Sequence, residues 1–226
     1  MIFGKIDYIN LLPLHFYLKS SKLPSYVKKS IEYKKNVPAK LNKALNEKRI
    51  DCAIISSIES KKSKYKNLNV GICANKKVLS VLVEKNSTQE NDKESATSNA
   101  LAKVLDLKGR VIIGDKALKE YVKTPENYID MCEKWYDLTK LPFMFARFSS
   151  VKNHNQAKKI FNDFIKHNLT PNQRIKIPNY ILEHFSNTRQ ISKEDIKNYL
   201  NYIYYKIGKK ELKALRIYIR KTKYSG

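Results

Sequence analysis

The chain has 226 residues, 42% of them hydrophobic, which suits one large domain or two small lobes with a real core and excludes an intrinsically disordered chain. Its 45 Lys+Arg against 21 Asp+Glu give a formal charge of +24, so anionic partners come first to mind: a nucleic acid, a membrane surface or a small anion. No apolar run nears the roughly 20 residues of a bilayer span, and no zinc finger, RNP aromatic motif or GXXG loop accompanies the lysines, so neither membrane nor nucleic acid is expected as a partner.

Residues 2–9 alternate like a strand and end in Tyr8-Ile9-Asn10-Leu11-Leu12-Pro13. In an open α/β sheet, ligands bind off the carboxyl ends of strands. Asn10 would stand there with one donor group and one acceptor, although Asn at that point also suits a helix cap. Residues 14–18 read as a short helix and 26–33 as a second strand. Pro38 opens a helix with Leu41, Ala44 and Leu45 on one face. Residues 50–57 form a strand whose centre is continuously apolar, as in a sheet covered on both sides, and it ends in Ser56 and Ser57. This order predicts a parallel sheet with a cleft above it. Residues 70–74 are short and apolar. Residues 78–83 make a better strand, with Ser80 inside it, and 85–94 are a polar lobe boundary or loop.

Ser95-Ala96-Thr97-Ser98 then leads into Ala100, Leu101, Val104 and Leu105 at helical spacing, with Thr97 or Ser98 as the expected N-cap. The first turn of a helix carries free N–H groups and positive dipole charge, which suits a carboxylate or phosphate as well as an ordinary cap. Residues 109–115 read as a buried strand ending at Gly114-Asp115. Residues 117–122 look helical, and Ile129, Cys132, Trp135 and Tyr136 mark a further helix. Residues 141–148 are an apolar, aromatic strand interrupted by Arg147. That arginine is either a solvent-face charge on an edge strand or a carboxylate clamp at a hinge.

From residue 153 the pattern is helical. One face carries Ala157, Ile160, Phe161, Phe164 and Ile165, and a shorter one Ile177, Ile181, Leu182 and Phe185. Ser192 with Asp195 resembles a capping box opening a helix through Ile196, Leu200, Ile203 and Ile207, which Gly208 ends or bends. Cys52, Cys73 and Cys132 are odd in number and far apart, as expected of reduced thiols in a cytoplasmic protein, and Met1-Ile2-Phe3-Gly4-Lys5 does not read as a signal peptide. The four histidines lack metal-ligand spacing and no Gly-rich dinucleotide loop is present, so neither metal nor organic cofactor is expected.

Taken together, several stretches resemble one family. Gly4-Lys5-Ile6-Asp7-Tyr8-Ile9-Asn10-Leu11-Leu12-Pro13 is similar to its N-terminal Gly-x-Ile-x-Tyr-Leu-Asn-x-x-Pro. Residues 38–45, Asp51-Cys52-Ala53-Ile54-Ile55-Ser56-Ser57, Leu79-Ser80-Val81-Leu82, Glu94-Ser95-Ala96-Thr97-Ser98, Ile113-Gly114-Asp115 and the stretch from Trp135 to Ala146 follow in the family's order. The family is chorismate dehydratase, the opening enzyme of the futalosine route to menaquinone. The resemblance covers residues 4–146 and carries little of the C-terminal helices. It implies an α/β, two-lobed, type II periplasmic-binding-protein-like fold with a ligand cleft between the lobes and a helical C-terminus. The expected division is residues 1–83, 84–145 and 146–226, with crossings at 78–83 and 143–148. The second lobe is expected to be shortened, because only residues 102–110 separate its first helix from the Ile-Gly-Asp strand, and Arg147 stands where the family is usually apolar.

The resemblance implies that a small-molecule substrate, chorismate, loses water to give 3-[(1-carboxyvinyl)oxy]benzoate without a cofactor. It points to Asn10 as the catalytic group and to Ser56, Ser57, Ser80, Thr97, Ser98 and Asp115 as substrate-binding residues; Arg147, a departure from the family pattern, is expected to bind substrate as the carboxylate clamp. No cleft His or Lys stands out as a base, so a substrate carboxylate oriented by Asn10 would take the proton. Two alternatives share the fold: a non-catalytic small-carboxylate-binding protein, and the sister enzyme acting on cyclic dehypoxanthine futalosine, which is expected to use a cleft histidine.

Overall fold

The computed structural model describes residues 1–166 and 175–223. Its first strand, β1 (Phe3–Ile6), is buried at all four positions and leads through a 3-10 turn, Ile9–Leu11, into α1 (Leu12–Ser20). Pro13 lies in the first turn of α1, where a missing N–H breaks no helix bond. α2 (Ser25–Tyr33) then replaces the strand expected over 26–33. Its two buried aliphatics, Val27 and Ile31, are four apart and so share one helical face; two such residues cannot establish an alternation of period two.

The remaining elements in order are β2 (Lys35–Asn36), α3 (Pro38–Asn46), β3 (Cys52–Ser56), β4 (Lys66–Ala74), β5 (Val81–Glu84), α4 (Ala96–Val104), β6 (Arg110–Ile113) and α5 (Gly114–Lys123). They are followed by β7 (Tyr128–Asp130), α6 (Met131–Thr139), β8 (Phe143–Ser150), α7 (His154–Lys166), α8 (Asn179–Arg189), α9 (Lys193–Tyr202), β9 (Ile203–Lys206) and α10 (Lys209–Thr222).

These strands form two sheets, one ordered β2-β1-β3-β8-β4-β9 and the other β6-β5-β7. In the larger sheet β1 runs parallel to β2 and β3, but β8 is antiparallel to both β3 and β4, and β9 is antiparallel to β4. The parallel sheet expected from the sequence is therefore mixed. The reason is topological: the chain leaves after β4, builds the smaller sheet, and returns as β8 between β3 and β4. The smaller sheet is antiparallel throughout.

Of the strand expected over 78–83, residues 78–80 are crossing backbone and β5 begins only at Val81, whereas β8 begins at Phe143, where the strand over 143–148 was expected. Asp130 fixes the first crossing. One carboxylate oxygen accepts from the Val78 and Leu79 N–H groups, each at 2.8 Å, while the other caps α6 through Cys132 N at 2.8 Å and Glu133 N at 3.2 Å. Ile129, expected on that helix, lies on β7 instead, because the helix cannot start before its cap.

The helix expected to reach Ile207 stops at Tyr202, and Ile203–Lys206 pairs with β4. Ile203, Tyr205 and Ile207 turn inward at every second position, the period of a strand, and all three are buried. Gly208 does not end α9; it precedes α10, whose Glu211 carboxylate accepts from the Gly208 N–H at 2.8 Å. α10 docks through Tyr218, whose ring lies edge-on to Trp135 and Phe143 at 6.1 and 5.0 Å between centroids. Phe3, Phe148 and Phe161 form a second aromatic cluster, the tightest pair 4.3 Å apart. Among the described residues no helix is long and apolar enough to cross a membrane.

Candidate active site

The carboxyl end of β1, the last residue of β3, the crossing before β5 and the start of α4 converge on a cavity of about 50 Å³ between the two sheets. Asn10, Ser56, Ser80 and Ser98 all line it, together with Tyr8 and Ser95; Ile6, Ile72, Val81, Ile113 and Phe145 supply its apolar wall. Four residues expected from the sequence thus meet although they lie on four separate segments.

Asn10 is the most informative of them. Its Oδ1 is buried without a hydrogen-bond partner. A buried amide oxygen left unpaired costs about 1–3 kcal/mol, so such an atom calls for an explanation. The helix-cap reading does not supply one, because the cap residue of α1 is Leu11 and no side chain caps it. The Asn10 carbonyl is held by the Tyr205 hydroxyl at 2.7 Å, which fixes the backbone and leaves the side chain for the cavity.

Ser56 is held by Asn42, which donates to Ser56 Oγ at 3.0 Å and accepts from the Ser56 N–H at 3.2 Å. Ser80 Oγ lies 2.8 Å from the Tyr199 hydroxyl. At the start of α4 the cap is Ser95, not Thr97 or Ser98: its backbone is extended and its Oγ accepts from the Ser98 N–H at 3.1 Å. The cap hydroxyl must stand three residues before the N–H it receives, which selects Ser95. Ser98 Oγ is then 2.8 Å from Ser95 Oγ at the cavity edge.

Ser57 and Thr97 sit elsewhere. A step of one residue turns a helix by about 100°, which carries Thr97 off the cavity wall. Its Oγ1 lies 3.4 Å from Ser57 Oγ and accepts from the Ile58 N–H at 3.3 Å. These two hydroxyls therefore join the segments across the cleft. Asp115 does not line the cavity either. Its carboxylate accepts from the Ile9 N–H at 2.9 Å and from Arg189 Nε at 2.8 Å, and Arg189 Nη2 also reaches Asp7 at 3.3 Å. Burial pushes the Asp115 pKa up, against the pull of the Ile9 N–H and the Arg189 charge.

Arg147 lies on β8, an interior strand, so it is no edge-strand charge. Its Nε donates to Leu68 O at 2.9 Å and its Nη2 to Asn69 Oδ1 at 3.2 Å, where the pairing of β4 with β8 is interrupted. The guanidinium thus serves a bulged strand and stands outside the cavity; burial lowers its pKa.

Sequence reasoning missed Tyr8, Ser95, Tyr199 and Arg189. Tyr8 and Ser95 stand inside recognised stretches and were within reach. Tyr8 packs over Gly114, whose φ is +69° and whose added Cβ would come within 2.9 Å of the ring, so glycine is required there. The Tyr8 hydroxyl bonds Glu94, and burial followed by that bond drives its pKa far up, leaving a neutral phenol. None of the described residues lining the cavity carries a carboxylate, imidazole or ammonium group. Among the described residues, no three His, Cys, Asp or Glu side chains gather as a metal site.

A family model described as menaquinone biosynthesis matches residues 1–110 and 106–224. A chorismate dehydratase of Campylobacter jejuni subsp. jejuni serotype O:23/36 (strain 81-176) is 58% identical over 224 residues, covering 99% of this chain and 98% of that relative. Among solved structures, a protein from Archaeoglobus fulgidus matches with a TM-score of 0.71 at 14% identity, over 99% of this chain and 97% of the other. A Candida albicans protein described as having the generic periplasmic binding protein fold matches at 0.56 with 16% identity, over 99% and 89%. The fold is accordingly the two-lobed α/β fold of periplasmic binding proteins, with the cavity in its cleft.

Proposed function

The chain belongs to the menaquinone-biosynthesis family, and we propose that it is a chorismate dehydratase, a hydro-lyase converting chorismate to 3-[(1-carboxyvinyl)oxy]benzoate and water. A ring proton and the neighbouring hydroxyl leave together as water, and the six-membered ring becomes aromatic. Aromatisation provides the driving force, so the enzyme's task is kinetic: hydroxide leaves poorly and the ring proton is weakly acidic.

The observation that carries this reading at the level of chemistry is Asn10, half-buried at the cleft with a buried, unpartnered Oδ1. An amide does not titrate near neutrality, so Asn10 is no general base. Its Oδ1 accepts from the substrate's hydroxyl, and its NH₂ is the edge that would donate to a substrate carboxylate, so it orients the reacting groups. The cavity's described lining is neutral, which leaves a substrate carboxylate as proton acceptor. Ser56, Ser80 and Ser98 add small hydroxyl donors, and the start of α4 adds partial positive charge for the second carboxylate. Desolvation in a shut cleft strengthens each of these contacts. The cleft opens to admit substrate, and the contacts of Ser57 with Thr97 and of Arg189 with Asp115 and Asp7 close it again. The three buried thiols and the lack of a membrane-crossing helix among the described residues support a cytoplasmic site of action.

The test is direct. Purified protein is incubated with chorismate and the products are separated and identified by mass. Formation of the aromatic ether at a rate proportional to enzyme supports the reading; chorismate recovered unchanged refutes it.

A further inference from the structure

Away from the cleft, two helix faces enclose a space where packing would be expected. On α1, Leu12, His15, Phe16 and Lys19 recur at helical spacing, and on α8, Ile181, His184, Phe185 and Arg189 do the same. Both sets line one cavity of about 470 Å³, to which β1 adds Lys5 and β2 adds Lys35. It shares none of its described lining residues with the cavity that holds Asn10. Its chemistry has two parts. Leu12, Phe16, Ile181 and Phe185 are apolar, and Tyr180 beside them is left 71% exposed. Lys5, Lys19, Lys35 and Arg189 bring positive charge, and among the described lining residues Asp7 is the one carboxylate, 3.3 Å from Arg189 Nη2. Lys5 and His15 are the buried polar members, 4% and 5% exposed. His15 Nε2 is buried with no hydrogen-bond partner. Burial first, then the charges of Lys5, Lys35 and Lys19, hold the His15 pKa well below its ordinary value, so the ring is neutral and carries one proton. A neutral imidazole could serve a metal ion, but these cations repel one; an anion is what their field attracts.

We propose that this cavity is a second ligand site, separate from the cleft, for a small aromatic carboxylate. The carboxylate is drawn to Lys5 and His15, and the ring is covered by Phe16 and Phe185. A carboxylate beside His15 supplies the acceptor that Nε2 lacks and selects the ring form with its proton there. It also offsets the positive charge gathered around the imidazole. A bare inorganic anion would satisfy the cations but leave the aromatic wall wet, and a neutral aromatic would do the reverse. The site does not depend on the dehydratase reading, because none of its residues is assigned to turnover.

The experiment titrates the full chain with benzoate at low salt and follows the histidine ring signals by NMR, with His15→Gln assigning the His15 signal. His15 and His184 line the cavity, whereas His154, bonded to Ser150 on α7, does not and serves as the internal control. The His15 and His184 signals are expected to move on one saturating curve with its midpoint near about 1 mM, while His154 stays still. No saturation by about 20 mM, or equal movement of His154, overturns the proposal. So does equal affinity for benzyl alcohol, which has the ring without the charge, or for inorganic phosphate, which has the charge without the ring. Lys5→Met is expected to raise the midpoint at least about tenfold, and an unchanged midpoint overturns the proposal. Should Lys5→Met fail to fold, Lys19→Gln with Lys35→Gln removes two exposed cations from the same cavity and is expected to raise the midpoint at least about threefold; no change there is equally fatal. Benzoate could also enter the cleft, so the titration is repeated in Asn10→Ala. The His15 curve is expected to be the same, and its loss would place the ligand in the cleft and refute the second site.

Discussion

Arg189→Met removes the cation that ties α8 to Asp115 and Asp7 across the cleft. The Arg189 side chain is 32% exposed and Asp115 is 11% exposed, so the pair is neither a free surface bridge nor a sealed one. Breaking a buried pair from one side costs about 3–5 kcal/mol, and an exposed pair contributes about 0–1 kcal/mol. With Ile9 N still donating to Asp115, a value of roughly 1–3 kcal/mol is expected. At roughly 2–4 °C per kcal/mol for a chain of this size, melting should drop by about 2–12 °C. The effect carries a pH signature. Asp115 already has a raised pKa in the folded state, so its contribution is greatest below the unfolded value of about 3.9 and is lost as pH rises through the folded pKa. Removing Arg189 raises that pKa further and extends the loss. The deficit of the variant should therefore be small near pH 4 and grow toward pH 7. Thermal melts of both proteins across that range are the assay. An equal deficit at every pH, or none at pH 7, refutes the argument.

Two further substitutions test the assignments away from the cavity. Arg147→Met should leave KM for chorismate within about twofold and lower stability by about 1–3 kcal/mol, as Leu68 O and Asn69 lose their donor; a tenfold rise in KM would restore the carboxylate clamp. Asp130→Ala frees four N–H groups at the crossing and at the start of α6, so a loss of at least 2 kcal/mol is expected by denaturant titration; a variant within 0.5 kcal/mol of wild type would contradict the role of that carboxylate at the crossing.

Much of the cleft was legible in the sequence because it is built from strand ends and a helix start. Asn10 and Ser56 follow apolar strand runs, and Ser98 sits in a hydroxyl-rich helix opening, all local signals. What was not legible depends on rotation or on distance. Thr97 and Ser98 are neighbours in sequence, yet one joins the segments across the cleft and the other faces the cavity, and only the helix phase set by the Ser95 cap decides which. Tyr199 is 119 residues from Ser80 and lies on a helix whose apolar spacing reads as ordinary core. Residues 26–33 and 203–206 were misread for one reason: a few apolar residues satisfy periods of both two and four, and packing partners far along the chain make the choice. Arg147 looked anomalous in an apolar strand because its acceptors lie on β4, 78 and 79 residues away.

The central claim is that Asn10 works on the substrate and does not merely hold the fold. Turnover of chorismate and the melting temperature of Asn10→Ala, measured on one preparation, test it most directly. Loss of an oriented neutral group at a developing charge predicts a fall in turnover of about 10²–10³ with melting close to wild type, since no helix cap is lost. A variant that melts early yet turns over chorismate at the wild-type rate would contradict it.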